Sequence, residues 1–179
     1  IGTAGGLIGS SGSELVDASF WDIGTTMQGI SAGGTGIETE DFFATNNFIE
    51  YASELGWDFF TTWAPPEDGW HPAIYTIDSV VFADADEGTA VYGESDDAEV
   101  TGTVYGGPTV NVFLDDPIDT TDLFATDAPA QANAGTYAVT TTADTILSET
   151  LGDAYRVVTR EADFTVTRRS LTITANPQS

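Results

Sequence analysis

Ala4-Gly5-Gly6-Leu7-Ile8-Gly9, then Ser19-Phe20-Trp21-Asp22, then Ser31-Ala32-Gly33-Gly34-Thr35-Gly36 set the expected fold of this chain. Small residues bracket short apolar pairs at a spacing near that of one solenoid coil. A parallel β-coil needs this arrangement where the backbone turns tightly and Leu or Ile points inward. Residues 1–37 therefore read as short strands with tight turns. Phe20 and Trp21 are neighbours, so in a strand they face opposite sides.

The texture changes at Thr39-Glu40-Asp41, where a good N-capping residue is followed by two acids suited to the positive end of a helix. Phe42, Phe43, Phe48, Ile49, Ala52 and Leu55 follow at helical spacing, and Gly56 stands where a C-cap glycine belongs. One or two short helices are expected between Glu40 and Leu55, capping the open β-edges of the coil. Gly56-Trp57-Asp58-Phe59-Phe60-Thr61-Thr62-Trp63 then carries aromatics on both faces of an extended run, and Pro65-Pro66 breaks it. With Trp70, His71 and Tyr75, these residues are either the core of the cap or a sugar-stacking platform made of Trp57, Trp63 and Trp70.

Ile77 to Phe82 reads as a linking strand into a second unit. There Glu99 to Tyr105, Thr109 to Leu114, Gly135 to Thr141 and Asp163 to Thr167 alternate apolar with polar between turn residues, the pattern of an antiparallel β module. Val80-Val81-Phe82 leading into Ala85-Asp86-Glu87-Gly88-Thr89 is echoed by Leu171-Thr172-Ile173 leading into Ala175-Asn176-Pro177-Gln178-Ser179, as if a further repeat began there. The chain divides accordingly into 1–77, the solenoid end and its cap; 78–169, the β module; and 170–179, the first strand of a following repeat.

Two family resemblances rest on these residues. Gly5-Gly6-Leu7-Ile8-Gly9, Ser19-Phe20-Trp21-Asp22, the glycine run to Gly36, and Gly56-Trp57-Asp58-Phe59 with Trp63 resemble the GLUG repeat of large bacterial surface proteins, over about the first 75 residues. Such repeats usually come in series and one is present here, so the chain is expected to be part of a longer one. Ala90-Val91-Tyr92-Gly93-Glu94, Asn133-Ala134-Gly135-Thr136-Tyr137, Asp163 to Thr167 and Leu171 to Ala175 resemble the MBG/YDG-type modules found in tandem in bacterial filamentous haemagglutinin-like adhesins. The chain departs from that family at Tyr92-Gly93-Glu94, where Tyr-Gly-Asp or Tyr-Asp-Gly is usual, and in the acidic stretch from Asp115 to Asp127. The resemblances imply a mainly β fold: the end of a parallel β-helix with a helical and aromatic cap, followed by an Ig-like or β-grasp-like module. They also imply a secreted, cell-surface stalk in cell adhesion or biofilm, whose partners are other modules of the same long chain and surface or matrix glycans or proteins.

Composition bounds the chemistry. The formal charge of −25 sets 29 acids against four arginines, and there is no lysine. Such a surface repels nucleic acid and anionic lipid, and no stretch approaches the ~20 apolar residues of a membrane span. Arg156, Arg160, Arg168 and Arg169 all lie near the C-terminus, either to meet an acidic face of a neighbouring module or to solubilise an edge strand. Cysteine is absent, so disulfides and thiolate chemistry are excluded.

No catalytic residue is assigned. A hydrolytic triad has only His71 to serve as base and no Gly-x-Ser-x-Gly elbow to go with it, and zinc lacks ligands. A polysaccharide-degrading β-helix enzyme would need converging carboxylates. Calcium is the one cofactor the acids leave open: Asp84-Ala85-Asp86-Glu87-Gly88 offers oxygens at alternate positions, though it fails the EF-hand pattern at Gly88 and Ser95. Glu94-Ser95-Asp96-Asp97 and Asp115-Asp116 are further options, against the alternative of solvated turns on an acidic surface.

Overall fold

The computed structural model describes residues 4–9, 16–94, 99–106, 123–142 and 155–172. Among them the fold is mainly β, with eleven strands and three short helices. Strand β1 (Phe20–Asp22) is followed by helix α1 (Ile23–Thr26), β2 (Thr35–Ile37), α2 (Thr39–Phe43), α3 (Thr45–Glu54), β3 (Trp63–Ala64) and β4 (Ala73–Ile74). The second unit contains β5 (Val80–Ala85), β6 (Gly88–Val91), β7 (Gly102–Gly106), β8 (Phe124–Thr126), β9 (Gly135–Thr141), β10 (Arg156–Arg160) and β11 (Ala162–Thr167).

Near the N-terminus β1 and β2 pair in parallel, Phe20 beside Thr35 and Asp22 beside Ile37. Bonds from Gly6 N to the Ile30 carbonyl and from Ala32 N to the Ile8 carbonyl, both 3.0 Å, hold the glycine stretch against the next turn of chain. Glycine is required there because Trp21 lies across it. A Cβ on Gly6 would fall 2.0 Å from the indole nitrogen, and one on Gly36 would fall 2.8 Å from the ring's other edge. Trp21 is buried and its Nε1 donates to the Gln28 carbonyl at 2.9 Å, whereas Phe20, half-buried, turns to the other side. Among the described residues of this stretch one two-stranded parallel ladder forms, in place of the stacked coils expected of a β-helix.

The expected helices form as two, α2 and α3, broken at Ala44. Thr39 begins α2 rather than capping it, because its hydroxyl is turned toward Asp22. At the far end Gly56 N bonds the Ser53 carbonyl at 2.9 Å and Trp57 N bonds the Ala52 carbonyl at 3.0 Å. With Gly56 at φ 91°, this is a Schellman ending, and it aims Trp57 back at the helix. Phe42, Phe48, Ile49 and Ala52 are buried, and Phe20 packs among Phe42, Phe48, Tyr51 and Trp57 with ring centroids 5.3–6.5 Å apart.

The second unit is a sandwich of two sheets with strand orders β10-β5-β7 and β6-β11-β9-β8. The purely antiparallel module expected from the alternation is corrected: β10 runs parallel to β5 and β11 parallel to β6, while the remaining pairs are antiparallel. Alternation reports that one face is buried and is silent about which way the neighbour runs. The stretch at 109–114 and the echo at 173–179 lie outside the described residues.

All six residues of β5 are buried, and they serve two cores. Val81, Ala83 and Ala85 pack between the sheets with Leu123, Phe124, Val139, Phe164 and Val166. Val80 and Phe82 face the other way and close the N-terminal core with Phe48, Ile49, Phe59, Tyr75 and, from β10, Val158. The three-stranded sheet is thus the middle layer, and the division at residue 77 separates chain segments whose cores are joined through β5. Val139 lies wholly inside the sandwich core, while all four tryptophans, Trp21, Trp57, Trp63 and Trp70, precede β5. Val139→Ala is expected to cost about 2 kcal/mol and to lower the unfolding midpoint reported by tryptophan fluorescence together with that reported by far-UV circular dichroism. A tryptophan midpoint left unmoved would show that the two cores melt independently.

Candidate functional site

Asp22 is a buried carboxylate at the point where β1, α2 and the segment after β4's partner strand converge. As the N-cap of α1 it accepts from Thr25 N at 3.0 Å, and it also accepts from the Thr25 hydroxyl at 2.5 Å, the Thr39 hydroxyl at 2.6 Å and His71 Nε2 at 2.8 Å. An ionised carboxylate only accepts, so His71 carries a proton on Nε2. Its ring is held edge-on by Phe42 and Phe43, with centroids 5.2 and 5.1 Å away. Both threonine hydroxyls are turned to the carboxylate and not to the imidazole, so the described contacts tie three chain segments together without arming a nucleophile. Burial by itself would raise the Asp22 pKa, but the donors from Thr25, Thr39 and His71 outweigh it and hold the pKa well below the usual carboxylate range.

Beside His71 a cleft of about 690 Å³ opens at the junction of the two units, lined by Trp70, His71, Ile77, Asp78, Tyr155 and Arg156 among others. Trp70 is 60% exposed at its rim. The Arg156 guanidinium lies 5.1 Å from the Trp70 ring centre and pairs with Glu67 at 3.1 Å, so the cleft's cation is already shared between an aromatic face and a carboxylate.

Trp57, Trp63 and Trp70 do not form one platform. Trp57 and Trp63 stack on each other with centroids 4.0 Å apart, half-buried against the N-terminal core, and Trp57 Nε1 donates to the Ala18 carbonyl at 2.7 Å. Only Trp70 reaches the cleft.

The calcium candidates are likewise dispersed. Asp84 sits in β5 and accepts a two-pronged bond from Arg160, Nε to Oδ1 at 2.6 Å and Nη2 to Oδ2 at 2.5 Å. Asp86 accepts from the Thr101 hydroxyl at 2.9 Å, and Glu94 pairs with Arg169. Ser95, Asp96, Asp97, Asp115 and Asp116 lie outside the described residues. Among the described residues, no three acids or histidines gather as a cation site, and no helix is long and apolar enough to cross a membrane. Three of the arginines are therefore matched within the chain to Glu67, Asp84 and Glu94, all from earlier segments. β10 is an edge strand of its sheet, as one of the two expectations for the arginines had it, but its Arg156 and Arg160 serve as internal ties.

The Asp22 and Asp84 ties are not visible as spacings in the sequence. Asp22 three residues before Thr25 is an N-cap signal, but it gives no hint of His71, 49 residues away. No family model matches the chain, and neither the search among curated proteins nor that among solved structures found a similar protein.

The Asp22 carboxylate holds its proton less tightly in the folded chain than in the unfolded one. Its contribution is complete above the ordinary Asp pKa of about 4 and declines as pH falls below that toward the depressed folded value. Asp58 acts in the same sense, its pKa lowered chiefly by the Thr61 hydroxyl and then by Phe60 N. Asp22→Asn is expected to cost about 1–3 kcal/mol at pH 7 and to flatten the fall of the melting midpoint between pH 4 and more acid conditions. An unchanged acid limb in the variant would assign that fall to other carboxylates.

Proposed function

We propose that this chain is a structural segment of a secreted bacterial surface adhesin. In this reading the glycine-rich N-terminal stretch with β1 and β2 is the last coil of a β-solenoid, α2, α3 and the aromatic cluster are its cap, and the sandwich is one module of a tandem stalk. The observation that carries the reading is β5, buried on both faces, which fuses cap and sandwich into one body. A rigid junction suits a part that holds a binding region away from the cell. Three matched arginines, the Trp57/Trp63 stack and the Asp22 ties give the polar and aromatic groups structural employment. The resemblances to GLUG and MBG/YDG-type modules agree with that role.

A second reading, saccharide binding, is favoured by the exposed ring of Trp70 at the rim of the junction cleft. It would use Trp70 alone, with Arg156 and His71 as polar neighbours, in place of three tryptophans in a row.

A spacer is tested by exchange. In the cell that makes the protein, deletion of residues 4–172, which removes both cores together with the strand they share, is expected to weaken attachment. Replacement by an unrelated β module of equal end-to-end length is expected to restore it, measured as adherent cells after washing. Restoration failing while surface labelling stays normal would place ligand recognition in this segment, and quenching of fluorescence by oligosaccharides in the parent but not in Trp70→Ala would locate it at the cleft.

A further inference from the structure

The segments 80–91 and 156–167 run side by side in the same direction across both sheets. β5 pairs with β10 from Val80 beside Arg156 to Asp84 beside Arg160, and β6 pairs with β11 from Gly88 beside Phe164 to Val91 beside Thr167. The offset is 76 residues throughout, 156 less 80 at one end and 167 less 91 at the other, so each segment is one ribbon that passes from the first sheet to the second without slipping register. The ladder continues past the strand ends, with Arg156 N bonding the Ser79 carbonyl at 2.9 Å and Tyr92 N bonding the Thr167 carbonyl at 2.8 Å. Asp84 and Arg160 cross-tie the ribbons in the middle, Glu94 and Arg169 at the far end. Phe82, Val158, Phe164 and Val166 are all at most 2% exposed, which keeps water from competing for the bonds between them.

Chain order fixes how tension meets this pair. The chain enters the first ribbon at Ser79 and leaves the second after Thr167, which are opposite ends of a parallel pair. A pull along the chain therefore slides one ribbon along the other and loads the whole ladder together, whereas a pull on two adjacent ends opens it one bond after another. We infer that the two ribbons form a shear clamp that keeps the sandwich folded under tension directed along the chain. Its use in bearing load between cell and attachment rests on the adhesin reading, while the mechanical asymmetry is a property of the ribbons alone.

The chain has no cysteine, so engineered cysteines are unique handles for single-molecule pulling. In the 179-residue chain, Ser79→Cys with Ser170→Cys, both at exposed positions, applies shear. Tyr92→Cys, 46% exposed, with Ser170→Cys pulls on adjacent ends. At equal loading rate the first pair is expected to rupture at a severalfold higher force than the second, because bonds that share a load yield together whereas bonds loaded in turn yield one at a time. Melting midpoints equal to the parent's establish that both variants are folded, and exposed Asp78→Cys replaces Ser79→Cys if that handle lowers the midpoint. Equal rupture forces, or a weaker shear pair, overturn the clamp. A weak clamp in a protein that is still displayed and still restores attachment would leave the adhesin reading standing, and a strong clamp in a protein that never reaches the surface would do the reverse.

Discussion

Burial of both faces of one strand is the constraint on which the rest of this structure depends. In β5 the odd-numbered residues feed the sandwich core and the even-numbered ones feed the N-terminal core, so neither layer can be completed without it. Two requirements follow for its neighbours. Each face needs a partner layer of its own, met by the second sheet on one side and by the helices and aromatic cluster on the other. The charged residue that continues the even-numbered face, Asp84, needs a cation brought to it, because a lone buried carboxylate is expensive. Arg160 supplies it from the adjacent strand at the matching register position.

The placement of the four arginines follows from that geometry. In a chain with 29 acids, self-repulsion opposes compaction at low salt, and cations are most effective where strands far apart in sequence must meet. Arg156, Arg160 and Arg169 belong to the returning ribbon and its continuation, and each faces an acid of the outgoing half: Glu67 before β5, Asp84 within it, Glu94 beyond β6. Basic residues gathered at one end of the sequence become ties distributed along one seam of the fold.

Much of the local structure was legible. Helical spacing of Phe42, Phe48, Ile49 and Ala52 and the glycine at 56 located α2, α3 and their ending, because these signals lie within a turn or two of what they specify. Alternation located β7, β9 and β11. Strand β10 was missed because Arg156-Val157-Val158-Thr159-Arg160 has cations at the positions that face the N-terminal layer, and Asp84, Glu67 and the rings of Trp70 and Phe82 make those positions acceptable. Parallel pairing was illegible for a related reason, since strand direction is decided by how the chain returns. The Asp22 node has the same character: cap, hydroxyl and imidazole come from three separated segments, and none carries a local mark of the others. The tryptophans show the limit of counting, since nearness in sequence did not separate the stacked pair from the exposed ring.

The constant offset between the two ribbons also orders events in time. β5 and β7 are close in sequence and pair antiparallel, so that contact can form early, but the outgoing ribbon must wait until 76 further residues have followed before its parallel neighbour exists. Long-range parallel pairing is slow because the intervening loop must be closed before any contact rewards it. While the chain emerges N-terminus first, β5 lies with one edge unpaired and both faces apolar, a state open to wrong partners. The residues that precede the arginines hold 27 of the 29 acids and no lysine or arginine, and that excess of negative charge keeps such half-made chains apart until the returning ribbon brings in the cations.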